Sequence, residues 1–381
     1  MKICFVTTVS ITLRTFVLKL AEFLHKTGRF DISFICNPDK DFEKMLPNYI
    51  HYYPVKMGRG INLDGLSAIR EMTKIFKDNN FDLVQYSTPN ASCYASIAAK
   101  LAKVPVRLYC QWGILYVAFS GVKRFIFKSI EKLVCSLSTR IEPDSNSNLE
   151  FSIDEKLYKR DKAAVVWNGS ASGVDFEKFD ISKKDKYREE IRTSFNIPMD
   201  AFVYGFVGRI TRDKGINELF SAMKKVLEDN RNAYLLLVGS VEDENLLNPQ
   251  LFAWAKANPK IIFCGYTNVV EQYISAMDCY ILPSYREGFG LGVVEAEAMG
   301  VPVIVSDIPG PTDAMINGKT GFIVIKKDVD SLYTAMTKVM LPQEELEAIR
   351  SNAVAFAKNF EQKQLFKHIL DDRNKLLELK K

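Results

Sequence analysis

The chain has 381 residues, 47% of them apolar, enough to bury a large core and long enough for two domains. Its 51 basic and 46 acidic residues leave a net charge of +5, and it carries no zinc-finger or RNA-binding signature, which argues against a nucleic-acid binder. Seven cysteines include no Cys-x-x-Cys pair, so they read as reduced core residues of a cytoplasmic protein, and none of the three histidines sits in a metal-ligand pattern.

The N-terminus, MKICFVTTVSI, is apolar, but Arg14 and Lys19 interrupt it before a signal or membrane span can form. Ile3 to Val6 reads as a first strand and Phe16 to Lys26 as an amphipathic helix ending at Gly28, with TTVSITLRTF as the loop between them. Strands follow at Asp31 to Cys36, His51 to Pro54, Asp82 to Tyr86 and Val106 to Tyr109, alternating with helices near Leu66 to Lys77 and Ala95 to Ala102. This is an α/β pattern. In Gly121 to Arg140, Phe125, Ile126, Ile130, Leu133 and Val134 share one side of a helix, and Lys123, Arg124, Lys128 and Lys132 the other. Such a helix either packs its apolar side into the domain or rests on an anionic bilayer.

Val165 to Phe179 is rich in glycine and serine, and Lys178 to Arg192 is a charged linker and helix. A strand at Phe202 to Val207 runs into GRITRDKG. Gly208 permits a tight exit there, while Arg209 offers a planar fork and Lys214 a point charge to a diphosphate. Two further strands, Tyr234 to Val238 and Ile261 to Phe263, end at Gly239 and at Gly265–Tyr266. The Asp-x-Asp strings at Asp39 and Asp328 lack a strand-end context and imply no metal.

Leu282 to Asp307, LPSYREGFGLGVVEAEAMGVPVIVSD, reads as strand, glycine-rich turn, helix and strand. This βαβ unit demands a parallel sheet. Gly290 lets the backbone approach a ligand, and the amides of Gly290 and Leu291 open the helix, where unpaired N–H groups attract an anion. Glu287 and Glu295 bracket that position. Paired carboxylates suit polyol hydroxyls, so the stretch reads as a site for a sugar attached to a phosphate.

The segment Glu287–Gly288–Phe289–Gly290–Leu291 to Glu295 resembles the paired-glutamate motif of family 4 glycosyltransferases, and VPVIVSDIPG and NGKTGFIV resemble the family's continuation. The resemblance covers most of the chain. It implies the GT-B fold, two Rossmann-like domains facing across a cleft, and transfer of a sugar from a nucleotide diphosphate sugar with retention of configuration. Glu287 would contact the donor sugar, Glu295 the ribose and the intervening amides the diphosphate. GRITRDKG resembles the second signature, in which Gly208, Arg209 and Lys214 meet the leaving diphosphate; Gly265 and Tyr266 would lie against the base. Glu287, Arg209 and Lys214 are the expected catalytic residues, without a metal. VVWNGSASGVDFEKF resembles the interdomain crossing, giving an acceptor-side domain over 1–172, a donor domain over 173–359, and a helix over 360–381 returning to the first domain.

On the acceptor side the resemblance directs attention to Thr12 and to CQWGILY, where Gly113 is kept but Trp112 replaces the usual histidine. Trp112 either stacks on an acceptor sugar or fills the core. By the same resemblance the donor is a UDP-sugar and the acceptor a glycan or lipid-linked saccharide of cell-surface polysaccharide synthesis. The enzyme would be cytoplasmic, with 121–140 as a peripheral contact to the inner membrane face. A catalytically silent sugar-nucleotide-binding subunit and a GT-B epimerase are the alternatives.

Overall fold

A computed structural model describes residues 1–58, 64–229 and 232–378. The chain divides into two units, one of Met1–Ser172 with the chain from Lys363 onward, the other of Gly173–Gln362.

The first unit is built on six parallel strands: β1 Lys2–Val6, β2 Asp31–Cys36, β3 Ile50–Pro54, β4 Leu83–Tyr86, β5 Val106–Gln111 and β6 Arg140–Pro143. Their order is β3-β2-β1-β4-β5-β6. Because a parallel sheet is covered on both faces, its strands are near-continuous apolar runs; Ile3, Cys4, Phe5 and Val6 are all buried. The helix after β1 begins at Ser10, with a π turn over Leu13–Val17, and runs to Lys26, so the expected ten-residue loop shrinks to Thr7–Val9. The cause is a buried stripe, Leu13, Val17, Ala21 and Leu24, that starts earlier than the sequence reading placed it.

Of its apolar stripe, the helix Gly121–Leu137 buries Val134 and turns Phe125, Ile126 and Leu133 outward. Arg124 and Lys128 reach inward to Glu155, at 3.0 and 2.6 Å, and lie over the Tyr116 ring. Glu131, Val134 and Cys135 are the buried positions, while Val122 and Phe125 are 75% and 73% exposed and Ile126 and Leu133 about half so. The final helix, Gln362–Glu378, packs Leu365, Phe366 and Ile369 into this unit's core. Its Arg373, buried, binds Glu142 at 2.5 Å and Gln85 at 3.1 Å. Residues 379–381 of the expected returning helix lie outside the described residues. Phe360 packs in the core of the second unit, so the helix begins slightly later than expected.

The second unit repeats the topology with β7 Phe202–Val207, β8 Ala233–Val238, β9 Ile261–Gly265, β10 Cys279–Leu282, β11 Val303–Ser306 and β12 Gly321–Val324, all parallel, in the order β12-β11-β10-β7-β8-β9. Numbered from each unit's own first strand, both sheets run 3-2-1-4-5-6, the order of dinucleotide-binding folds. Strand order reverses between β1 and β4 in one unit and between β7 and β10 in the other. Ligands of such sheets bind outside the carboxyl ends of those central strands.

Candidate active site

In the second unit the switch point lies between the loop after β7 and the loop after β10. The chain leaves β7 through Gly208, whose carbonyl lies where a Cβ on Gly239 would stand, 1.9 Å away, so only glycine fits at 239. Gly215 has φ +72°, and a Cβ there would lie 2.0 Å from the Pro283 carbonyl. The two loops therefore touch backbone to backbone. Three further ties hold them: the Tyr285 amide donates to the Asp213 carbonyl at 2.8 Å, Arg286 pairs with Asp213 at 3.0 Å, and the Tyr285 hydroxyl donates to Glu218 at 2.7 Å. Burial opposes charge on Asp213, but the Thr211 hydroxyl and Arg286 outweigh it and hold its pKa below the usual value.

This scaffold brings Lys214 onto Glu287. The ammonium is 2.6 Å from Oε1, which also accepts from the Ser284 hydroxyl at 2.7 Å, and both charged side chains are largely buried. Arg209 instead leans outward to Glu242, at 3.1 Å, with both groups about half exposed. Such an exposed pair is worth about 0–1 kcal/mol, a small barrier to its exchange for a ligand.

Gly290, at φ +85°, opens the helix Leu291–Ala298, and no side chain caps it. Its first amides therefore remain donors for an anion. Phe289 contributes backbone only, because its ring is buried against Phe360 with centroids 5.0 Å apart. Gly288 lies between these residues and the Glu287 carboxylate. Glu295 projects from the helix one turn further on; burial pushes its carboxyl up to about 7, Lys178 pulls it back and Glu271 pushes it further. The phenol of Tyr280, on β10, is raised first by burial and then by Glu287 and Glu295, which places both acids around one ring. A Cβ on Gly292 would strike that hydroxyl at 2.4 Å. Gly265 ends β9 at φ +73° with open space around it, and Tyr266 is 63% exposed, its hydroxyl on Asn268.

The remaining expected residues belong to the first unit. Thr12 lies on the helix after β1 instead of in a loop, Trp112 packs against the core with its ring 5.7 Å from Phe16, and Gly113 turns at φ +101°. Sequence reasoning missed Thr8 and Thr88 there. Thr88, β-branched yet at φ +70°, follows β4, and its hydroxyl meets that of Thr8 at 2.8 Å. It also missed Ser284, three residues before Glu287, and Lys178, which the fold brings near Glu295. Among the described residues no cluster of three or more His, Cys, Asp or Glu is placed to hold a metal.

Two family profiles match the chain: "Glycosyl transferase 4-like" over residues 2–145 and "Glycosyl transferases group 1" over residues 187–356. The capsular polysaccharide biosynthesis glycosyltransferase CapM of Staphylococcus aureus is 31% identical over 331 residues, covering 87% of this chain and 86% of that one. The chain belongs to the group 1, family 4 glycosyltransferases. An Escherichia coli relative, UDP-Gal:alpha-D-GlcNAc-diphosphoundecaprenol alpha-1,3-galactosyltransferase, is 28% identical and covers 84% of this glycosyltransferase and 83% of itself. Anabaena HepE, solved with UDP-glucose, superposes with a TM-score of 0.80 at 18% identity, covering 98% of this chain and all, 100%, of its own. That likeness establishes the GT-B fold. The protein is thus a retaining glycosyltransferase.

Proposed function

We propose that this glycosyltransferase takes its sugar from a UDP-sugar held by the second unit and delivers it, without a metal, to a lipid-linked saccharide in cell-surface polysaccharide synthesis. The observation that carries the reading is the Lys214–Glu287 pair set beside the uncapped helix behind Gly290, at the sheet's switch point. When donor binds, Lys214 and Arg209 turn from Glu287 and Glu242 to the diphosphate, and the amides at Gly290 and Leu291 take its other oxygens. Glu287 is then released to the hydroxyls of the transferred sugar, and Glu295 to those of the ribose. Gly265 and Tyr266 border the base. Charge building on the leaving diphosphate is met by preplaced donors, each worth about 3 kcal/mol of barrier. Thr12, Trp112 and Gly113 serve the acceptor.

The UDP donor and the lipid-linked acceptor follow the printed activity of the Escherichia coli relative and the UDP-glucose bound by HepE. The exposed stripe Val122, Phe125, Ile126 and Leu133, flanked by Lys123 and Lys132, suits the surface of an anionic bilayer where such an acceptor resides. Among the described residues no helix is long and apolar enough to cross a membrane.

Calorimetric titration with UDP, GDP and ADP in the presence of a chelator tests the donor. Micromolar binding of UDP alone is expected, and loss of most turnover in Lys214→Ala and Glu287→Ala with the fold intact. Binding without turnover in the unmodified protein would point to a silent sugar-nucleotide-binding subunit; near-normal turnover in both variants would remove the site assignment.

A further inference from the structure

A cavity of about 860 Å³ opens in the second unit at the opposite, amino-terminal edge of the sheet. Its floor is Asp278, the residue before β10, and its walls come from the helices Lys184–Ser194 and Gln343–Ala357. The four residues of β10, roughly 13 Å of strand, separate Asp278 from the loop that carries Ser284 and Glu287. It is a different place from the donor site.

Lys184, Arg188 and Arg192 are spaced i, i+4, i+8, so one helix face presents three cations, an arrangement that like-charge repulsion opposes. Arg350 adds a fourth from the facing helix. They converge on one buried carboxylate. Asp278 Oδ1 accepts from Arg188 at 2.8 Å and from Arg350 at 3.4 Å; Oδ2 accepts from Arg192 at 2.7 Å and from the Val203 amide at 2.8 Å. Asp278 is thereby saturated. Lys184 donates to the neutral Gly300 carbonyl, at 2.9 Å. The other acids at the cavity, Asp185, Asp200 and Glu347, are exposed at its rim; Glu347, 62% exposed, reaches Arg350 only at 3.7 Å, whereas Arg188 and Arg350 are 20% and 17% exposed. Arg350 Nε is buried without a hydrogen-bond partner among the described residues. One buried negative charge thus faces four cations, and an orphaned guanidinium donor remains.

We infer that this cavity is a second anion site, taking a small phosphorylated or carboxylated ligand on Lys184, Arg188 and Arg350, apart from the sugar-donor site. Its volume matches sites for small organic molecules, and Ile181, Leu346 and Val354 supply an apolar wall for the ligand's carbon body. The state of Lys184 agrees: burial, then Arg350 and Arg188, push its pKa down to about 8, against a smaller upward pull from Asp278 and Glu347.

Thermal unfolding of the full chain with inorganic phosphate or citrate, at ionic strength fixed with chloride, tests the inference. The expected result is a saturable rise in Tm with at least one of the two anions, kept in an Arg209→Ala/Lys214→Ala protein and lost in Arg350→Gln and Lys184→Gln. The anion that acts separates phosphate from carboxylate chemistry. Absence of a saturable rise with either anion, or a rise lost in the Arg209/Lys214 protein and kept in Arg350→Gln, overturns it. A measurement on the unmodified protein guards against misfolded variants: at pH 8 the acylation of Lys184, read by peptide mass spectrometry, should slow about fivefold when a bound anion raises its pKa by one unit. Lys44, exposed elsewhere, should be unchanged, and an unaltered Lys184 rate also overturns the inference.

Discussion

Glu295 gives the sharpest test of donor recognition, because burial raises its carboxyl to about 7, within the range of an ordinary binding assay. Only the ionised form offers both oxygens to two ribose hydroxyls. At pH 6 about one molecule in eleven carries the carboxylate, and at pH 8 about ten in eleven, so donor affinity should rise about tenfold, roughly 1.4 kcal/mol, across that interval. A sugar nucleotide suits the measurement, since its diphosphate is esterified at both ends and does not titrate there. Calorimetry at pH 6, 7 and 8 gives the slope, and repetition at pH 7 in buffers of different ionisation enthalpy should show about half a proton released per donor bound. Glu295→Gln should bind more weakly and without the slope. Constant affinity in the unmodified enzyme, or a slope that survives in the glutamine variant, would refute the ribose role of Glu295.

Other expectations concern single side chains. Glu297, two residues on, is fully buried with neither oxygen hydrogen-bonded among the described residues; burial raises its pKa well above 4.5, and the nearby Thr320 hydroxyl offsets only part of this. The unfolded chain releases that proton above pH 4.5 while the fold retains it, so stability falls as pH rises from there; Glu297→Gln should be more stable at pH 7, with a flatter pH profile in urea titrations. Arg373→Met strands the Glu142 carboxylate, only 14% exposed, and should cost about 3–5 kcal/mol in the same assay. Val122→Ser with Phe125→Ser removes the outermost apolar groups of the exposed stripe, and should abolish co-sedimentation with anionic vesicles while leaving donor binding unchanged.

Much of the second unit was legible in the sequence because its signals are local. The turn around Gly290 needs a positive φ, the runs on either side of it are continuously apolar, and the acids sit at fixed offsets within the same segment. The spacing of Arg209 and Lys214 behind a strand was legible for the same reason. What stayed open or hidden depends on distant partners. The orientation of Gly121–Leu137 is set by Glu155, which turns Arg124 and Lys128 inward and the apolar stripe outward, and helical periodicity alone has no access to that choice. Arg209 meets Glu242 from 33 residues away in the chain, a pairing that no local spacing encodes. The cations around Asp278 were read as a charged linker, since the aspartate that gathers them arrives from another strand.

Two units with one strand order carry different chemistry at equivalent points. After β7 and β10 the loops present Arg209, Lys214, Glu287 and an uncapped helix start, a set matched to an anion with a sugar on either side. After β1 and β4 the loops present Thr8 and Thr88, neutral hydroxyls joined to each other, with the Thr88 backbone held at φ +70°. A threonine in that conformation is strained, and strain of this kind persists where surrounding contacts over-determine it. Here the Thr8 amide and hydroxyl both engage the Thr88 hydroxyl, at 3.0 and 2.8 Å. Hydroxyls without charge suit a sugar better than a diphosphate, so what the two switch points can hydrogen-bond differs although the strand order is common to both.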